Sequence, residues 1–386
     1  KSAGSVIRLV GGQYSSFTGI IISDCVFELS VARIGGAIFA DCSEHPMSLK
    51  FRNVLFQKNE AGGKIGGGAL LVHNCSTEME AVTFKGNRAP NGGGGAARFS
   101  LGNIRSTASL EVINNMAGGR DGGGAFRLNG TAFFLTGNDN LCVGNSATHV
   151  LGLGGACLYA EYATLNIYDW NISMNVAATQ GGTIRCMGSK LNVRQSIFAS
   201  NEAKRNGGGI AGMLCNSEFI ETKFVGNSAG IHSEARIGIG FGGAVYLGPG
   251  SGTLIRSSQF VENIANAGGG AFSCTSCDGD VLLYNSTFRS NRARAGAAMA
   301  LYQTHMKLLG LGWGITAKGE KISEINSTVD TLGERIQDDA TFTAIFSSRL
   351  TMGDYLSVGQ QLLLTSFSTE TSVAKASMVE SGEVLL

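Results

Sequence analysis

The stretch "VTFKGNRAPNGGGGAARF", residues 82–99, decides the fold. It carries Phe84, then Asn87, then a run of glycines around Gly94, and it ends in a small apolar tail. Alone, the glycines would suit a loop that cradles phosphate. That motif needs one Gly-rich turn between a strand and a helix, closing on Lys and then Ser or Thr. This stretch closes on alanines instead, and it has siblings.

"FQKNEA" holds Phe56 and Asn59, as "FKGNRA" holds Phe84 and Asn87. "FASNEA", "FVGNSA", "FVENIA" and "FRSNRA" repeat the pattern with Phe198 and Asn201, Phe224 and Asn227, Phe260 and Asn263, and Phe288 and Asn291. "VINNMA", "CVGNSA" and "ISMNVA" keep the asparagine, at Asn115, Asn145 and Asn175, and vary the aromatic. The first copy, "FELSVA", has Ser30 in its place. Each copy runs on to a small-residue cluster: Gly35-Gly36-Ala37, Gly67-Gly68-Ala69, Gly94-Gly95-Ala96, and so on through Gly208-Gly209-Ile210 to Gly296-Ala297-Ala298. Such self-similarity outranks any single motif in deciding architecture.

Between landmarks the chain alternates. "AVTFKG" puts Val82 and Phe84 on one face and Thr83 and Lys85 on the other, which is a strand signal. Short strands and tight turns, repeated about ten times without a long helical period, predict an all-β chain. The expected fold is a right-handed parallel β-helix, a pectin-lyase-like solenoid. Coils stacked at about 4.8 Å would make a rod of about 50 Å. In such a solenoid Phe stacks on Phe inside, and Asn59, Asn87, Asn115, Asn145, Asn175, Asn201, Asn227, Asn263 and Asn291 form a ladder that satisfies buried polar groups. Phe84, Asn87 and Gly94 are then building material rather than a ligand site.

Composition agrees. The chain has 57 glycines and only three prolines, yet 43% of its residues are hydrophobic and 15% charged. Disordered chains lack that apolar content, and collagen needs glycine at every third position. A formal net charge of +1 gives no reason to expect nucleic acid or an anionic membrane as partner. No apolar run reaches the roughly 18 residues of a transmembrane helix. No secretory signal opens "KSAGSVIRLV", so the chain reads as a mature product or a piece of something longer.

The alternation of Gly-Gly-Ala-Ile (Gly35–Ile38) with Phe-x-x-Asn resembles the repeats of chlamydial polymorphic membrane proteins, over roughly residues 17–301. Similar repeats occur in large extracellular proteins of algae and other protists. The resemblance implies a β-helical passenger exposed at the cell surface.

The nine cysteines gain meaning from phase. Cys42 and Cys75 each lie six or seven residues beyond a Gly-Gly pair, one coil apart, and Cys186 and Cys215 lie four and six beyond theirs in adjacent coils. Each pair can reach disulfide distance, with connectivity left open by the sequence. Cys274 and Cys277, in "CTSC", can close a small loop. A metal site would want further Cys or His ligands, and a redox motif would want a βαβ context. Disulfides are favoured, and they imply an oxidising compartment. Cys142 falls at a Phe position and reads as a buried thiol; Cys25 and Cys157 have no assignment. Sequons at Asn74, Asn129, Asn171, Asn285 and Asn326 are candidate glycan sites in a eukaryotic host.

Beyond residue 301 the character changes, and the chain divides into repeats at 1–301 and a cap or junction at 302–386. Ile322, Ile325, Val329, Leu332 and Ile336 have the spacing of an amphipathic helix, weakened by Gly333 and β-branched content. "TFTAIF" and "QQLLLTSF" read as strands.

For chemistry, the informative phase is six residues before the ladder asparagine: Asp139, Asp169, Gln195 and Glu221. Stacked directly, Asp139 and Asp169 would lie about 5 Å apart. Like charges that close need a cation or a shared proton, so this row is the candidate calcium site or acid–base pair. The alternative is a solvated row with side chains splayed, which its shortness favours. Asp278 and Asp280 in "CDGD" are a lesser calcium-loop candidate. No cofactor is required.

The expectation is a non-enzymatic, extracellular or cell-surface β-helix: a structural or adhesion segment of a larger surface or filament protein. It would present loops, above all the insertion around 230–240, and glycans. Its partners would be other chains or copies of itself. The alternative is a polysaccharide-binding or polysaccharide-cleaving β-helix using Asp139, Asp169 and Glu221.

Overall fold

The coil containing the decisive stretch shows why this sequence winds. It runs as strands Leu70–His73, Ser76–Lys85 and Arg88–Ala89, then turns through the glycines into Ala97–Ser100 of the next coil. The chain turns at residues in the left-handed backbone region: Asn74, Ala81, Gly86 and Gly94, with φ of 55°, 53°, 65° and 69°. Glycine and asparagine reach that region at little cost, whereas other L-residues pay for it. At Gly94 the requirement is conformational. At the neighbouring Gly95 it is spatial, because a Cβ would collide with the backbone carbonyl of Gly124.

The structure is a computed structural model. It describes residues 5–10, 19–230, 240–277, 281–284, 286–294 and 296–302, and beyond these the backbone of strands between residues 305 and 375. The chain packs as two units, Lys1–Glu202 and Ala203–Leu386. Both are parallel β-helix, and no helical element interrupts the described residues.

In the first unit, three parallel sheets line the coil. The first stacks Ile7–Val10, Ile38–Asp41, Leu70–His73, Ala97–Ser100, Phe126–Asn129, Leu158–Glu161 and Ile184–Met187. Its register is unbroken: Ile38, Leu70, Ala97, Phe126, Leu158 and Ile184 stand above one another. The second sheet begins with the long strands Gly19–Glu28, Ser48–Gln57 and Ser76–Lys85. In later coils each long strand divides at its kink, as into Asn103–Ser106 and Leu110–Ile113. The third sheet is built of two-residue strands such as Arg88–Ala89 and Met116–Ala117.

The second unit repeats this plan. Ile210–Met213, Val245–Leu247, Phe272–Thr275 and Met299–Tyr302 form its first sheet. The corner there is Gly207-Gly208-Gly209, one residue earlier than the motif spacing suggests, because Gly207 carries the positive φ and Ile210 already begins the strand. Gly230 and Gly240 lie against each other, so the insertion leaves and rejoins the coil at one place. Asn206 Oδ1 accepts from the N–H groups of Gly240 and Phe241 (3.1 and 3.0 Å) there.

The parallel ladder continues past residue 302, from Met299–Tyr302 to Lys321–Ile325, Thr341–Ile345 and Leu362–Phe367. Thr371–Lys375 then adds an antiparallel strand. The helix expected from Ile322 to Ile336 is not what the described part of that segment shows: strands Lys321–Ile325 and Thr328–Thr331 hold Ile322, Ile325 and Val329, while Leu332 and Ile336 lie outside the described residues. Its β-branched residues fit a pleated ladder better than a helix. "TFTAIF" and "QQLLLTSF" do contain strands.

Inside the coils, phenylalanines stack. Phe27, Phe56 and Phe84 lie face to face in the first unit, with centroids 5.2 and 4.9 Å apart. Phe224, Phe260 and Phe288 do the same in the second, at 4.8 and 4.7 Å. Burying each ring stabilises the fold by roughly 1.5–3 kcal/mol.

Candidate functional site

The asparagine ladder is a directional hydrogen-bond chain. Asn87 Oδ1 accepts from the backbone N–H and the Nδ2 of Asn59 (2.9 and 3.0 Å). Asn87 then donates its own N–H and Nδ2 to Asn115 Oδ1 (2.9 and 3.0 Å), and its Nδ2 also reaches back to the carbonyl of Phe56 (2.9 Å). Asn115, Asn145, Asn175 and Asn201 continue the pattern, as do Asn227, Asn263 and Asn291 in the second unit. All of these side chains are buried and polar-paired, which leaves them no role toward a ligand.

The structure places Asp139 and Asp169 at the kink of the second sheet in the first unit, and Glu221 at the same phase in the second. All three are exposed and have positive φ, of 58°, 49° and 51°. Asp24, Asn53, Ala81, Gln195 and Ser257 hold the same left-handed corner. Asp and Asn tolerate this region better than most residues. Backbone geometry thus gives Asp139 and Asp169 a structural reason to stand at this corner, one that does not extend to Glu221 or Gln195. Among the described residues, no three His, Cys, Asp or Glu side chains group as a metal site. Asp278 and Asp280 lie outside the described residues.

The residue after this corner points inward and carries a second polar ladder that the sequence reading missed. Leu110 N–H donates to Asn140 Oδ1 (3.0 Å), and Trp170 N–H to Ser196 Oγ (3.1 Å). In the second unit Thr222 N–H donates to Ser258 Oγ (3.2 Å). Aligning the coils on the kink rather than on Asn would have exposed the Asn, Ser and Thr recurring there.

Disulfides lock the coils. Cys42 joins Cys75 across adjacent coils with Cα atoms 5.1 Å apart, and Cys274 joins Cys277. Cys186, in the first unit, and Cys215, in the second, are each in a disulfide as well. Cys142 is not a free thiol: it bonds Cys157 across the interior, from the second sheet to the start of the first. Phase along a column could not reveal that pair, because the bond runs across the coil. Cys25, in the first described coil, is the free thiol.

Of the sequons, Asn74 and Asn171 are exposed and Asn129 is half-buried; Asn285 and Asn326 lie outside the described residues. So do residues 231–239 of the insertion.

Two outward clusters were not anticipated. On the first sheet, the guanidinium of Arg127 sits 4.1 Å over the ring of buried Tyr159 and pairs with Glu161. Burial pushes the Tyr159 phenol up to about 12, with the charge of Arg127 opposing the shift. On the second sheet, Lys50 pairs with Glu78 (3.4 Å) and Glu80 (2.7 Å), and Arg52 pairs with Glu80 (2.9 Å). These cations hold the Glu80 carboxyl below its usual range. Beside them two hollows, of about 630 and 310 Å³, share Ser76 and Glu78 and extend along the sheet.

The chain is similar to one curated protein of Escherichia coli (strain K12), named as a probable autotransporter YfaL. The two are 26% identical over an alignment of 198 residues, and the match covers 46% of this chain and 16% of that protein. The chain therefore matches about a sixth of its relative's length. No family model matches it, and no solved structure does.

Proposed function

We propose that this chain is a surface-exposed β-helix that works by presentation, as a rigid adhesion or assembly segment of a larger extracellular protein. The observation that carries the reading is the construction of the coils: internal polar ladders and disulfides stiffen a repeated outer surface. The disulfides suit an oxidising compartment. The similarity to a probable autotransporter fits a surface location. Exposed Asn74 and Asn171 would carry glycans in a eukaryotic host. Partners would be other chains, copies of this one, or carbohydrate. The reading requires no cofactor and no catalysis.

The test has two arms. Impermeant labelling of intact cells of the source organism should reach this chain. The purified chain should bind cell surfaces or self-associate, while leaving a panel of polysaccharides uncut. Cleavage that disappears in Asp169→Ala would instead establish the enzymatic alternative.

A further inference from the structure

The outer face of the second sheet in the first unit carries an arginine in register with an exposed aromatic ring. Arg105 pairs in register with Glu78 of the coil before and with Phe134 of the coil after. Arg105 is exposed, and it has no ion pair among the described residues. The neighbouring carboxylates, Glu78 and Glu80, are already engaged by Lys50 and Arg52. Three cations thus face two carboxylates, and the surplus charge sits on Arg105. Phe134 is 37% exposed on a strand whose neighbours Phe133 and Leu135 are buried. Both Arg105 and Phe134 line the hollow of about 630 Å³, with Ser76, Asn103 and Thr136 as flanking polar groups and with Glu78, whose carboxylate Lys50 engages, on its edge.

We infer that this face binds an acidic glycan, a chain of sugars bearing carboxylates, and this rests on the surface-presentation reading above. An unpaired guanidinium recognises a carboxylate by two parallel hydrogen bonds. An exposed aromatic ring offers an apolar platform to the flat face of a sugar. Ser76, Asn103 and Thr136 match hydroxyl groups. The coils repeat at about 4.8 Å, close to the length of one pyranose in an extended chain, so successive sugars can meet successive coils. A protein strand would instead seek free backbone groups, and those of this face are used within the sheet.

Calorimetric titration of the full chain with oligogalacturonate, and with a neutral cello-oligosaccharide of equal length, tests the inference. The acidic probe should bind, weaken as salt is raised, and exceed the neutral one. Arg105→Ala should weaken it tenfold or more, and Phe134→Ala several-fold, with circular dichroism and melting unchanged. Absence of binding, equal affinity for the neutral probe, or binding untouched by both variants overturns the site. Labelling of intact cells scores surface exposure separately, so a failed titration leaves the presentation reading standing.

Discussion

Asn115 Oδ1 accepts two hydrogen bonds from Asn87, one from its backbone N–H (2.9 Å) and one from its Nδ2 (3.0 Å). The Nδ2 of Asn115 meanwhile donates to the Phe84 carbonyl and to Asn145 Oδ1 (3.0 Å each). One side chain therefore serves the coils on both sides of its own. Asn115→Ala should lower stability by about 2–4 kcal/mol, because buried groups on both neighbours lose a partner. Asn115→Asp should cost more, since it turns a donor into an acceptor facing two oxygens and buries a charge. Denaturant titration of both variants checks the order. An aspartate as stable as the wild type would refute the ladder's polarity.

The stacked rings make a separate prediction. Phe56 lies between Phe27 and Phe84, nearly parallel to both, with interplanar angles of 12° and 7°. Phe56→Ala should cost about 3–5 kcal/mol, and Phe56→Leu much less. The difference is readable in the same denaturation experiment.

These two columns were legible in the sequence because each repeats one residue type in one phase. Phe84, Asn87 and Gly94 declare their roles through their siblings, not through local chemistry. Features that cross the coil were not legible. Cys142 and Cys157 come together because one faces the interior from the second sheet and the other from the first, a relation no column shows. Arg105 and Phe134 were also hidden, because outward positions tolerate any residue and the free charge emerges only once Lys50 and Arg52 are seen to occupy the nearby carboxylates. Asp139 and Asp169 have a second reason to recur that their spacing alone did not show: both hold a left-handed corner, a backbone demand that favours aspartate.

Thiol chemistry should separate the cysteines cleanly. With eight of the nine cysteines in disulfides, alkylation of the native, unreduced chain should add one label, at Cys25, and none in Cys25→Ser. Mass spectrometry reads the count. Joint replacement of Cys142 and Cys157 by alanine removes a cross-link between residues 15 apart, worth about 3 kcal/mol by the loop-closure relation. A second label on the native wild type would contradict the pairing.

Tyr159 predicts an alkaline limit. Its phenol titrates near 10 in the unfolded chain and at about 12 in the fold, chiefly because burial disfavours the phenolate. A raised folded value means that the stabilisation is complete below pH 10 and is lost as pH rises through 12. The loss should be on the order of 2–3 kcal/mol. Tyr159→Phe should flatten stability against pH over this window. Parallel curves for the two proteins would show that another group sets the limit.

The corner at Ala81 allows a gain rather than a loss. Ala81 is exposed and held at φ 53°, while Asn53 in the coil before fills the same corner and donates its Nδ2 to Asp24 Oδ1 (2.9 Å). An alanine in the left-handed region costs roughly 1–2 kcal/mol. Glycine removes that strain but loses about 0.5–1 kcal/mol to the freedom of the unfolded chain. Asparagine tolerates the conformation without that loss, and its side chain would extend the column begun by Asp24 and Asn53. Ala81→Asn should therefore raise stability by about 1 kcal/mol, and Ala81→Gly by less. Ala81→Val should lower it although the site is exposed, because a β-branched side chain fits this region worst. If valine were neutral and asparagine gave no gain, backbone strain would not govern this corner, and the same account of Asp139 and Asp169 would fall with it.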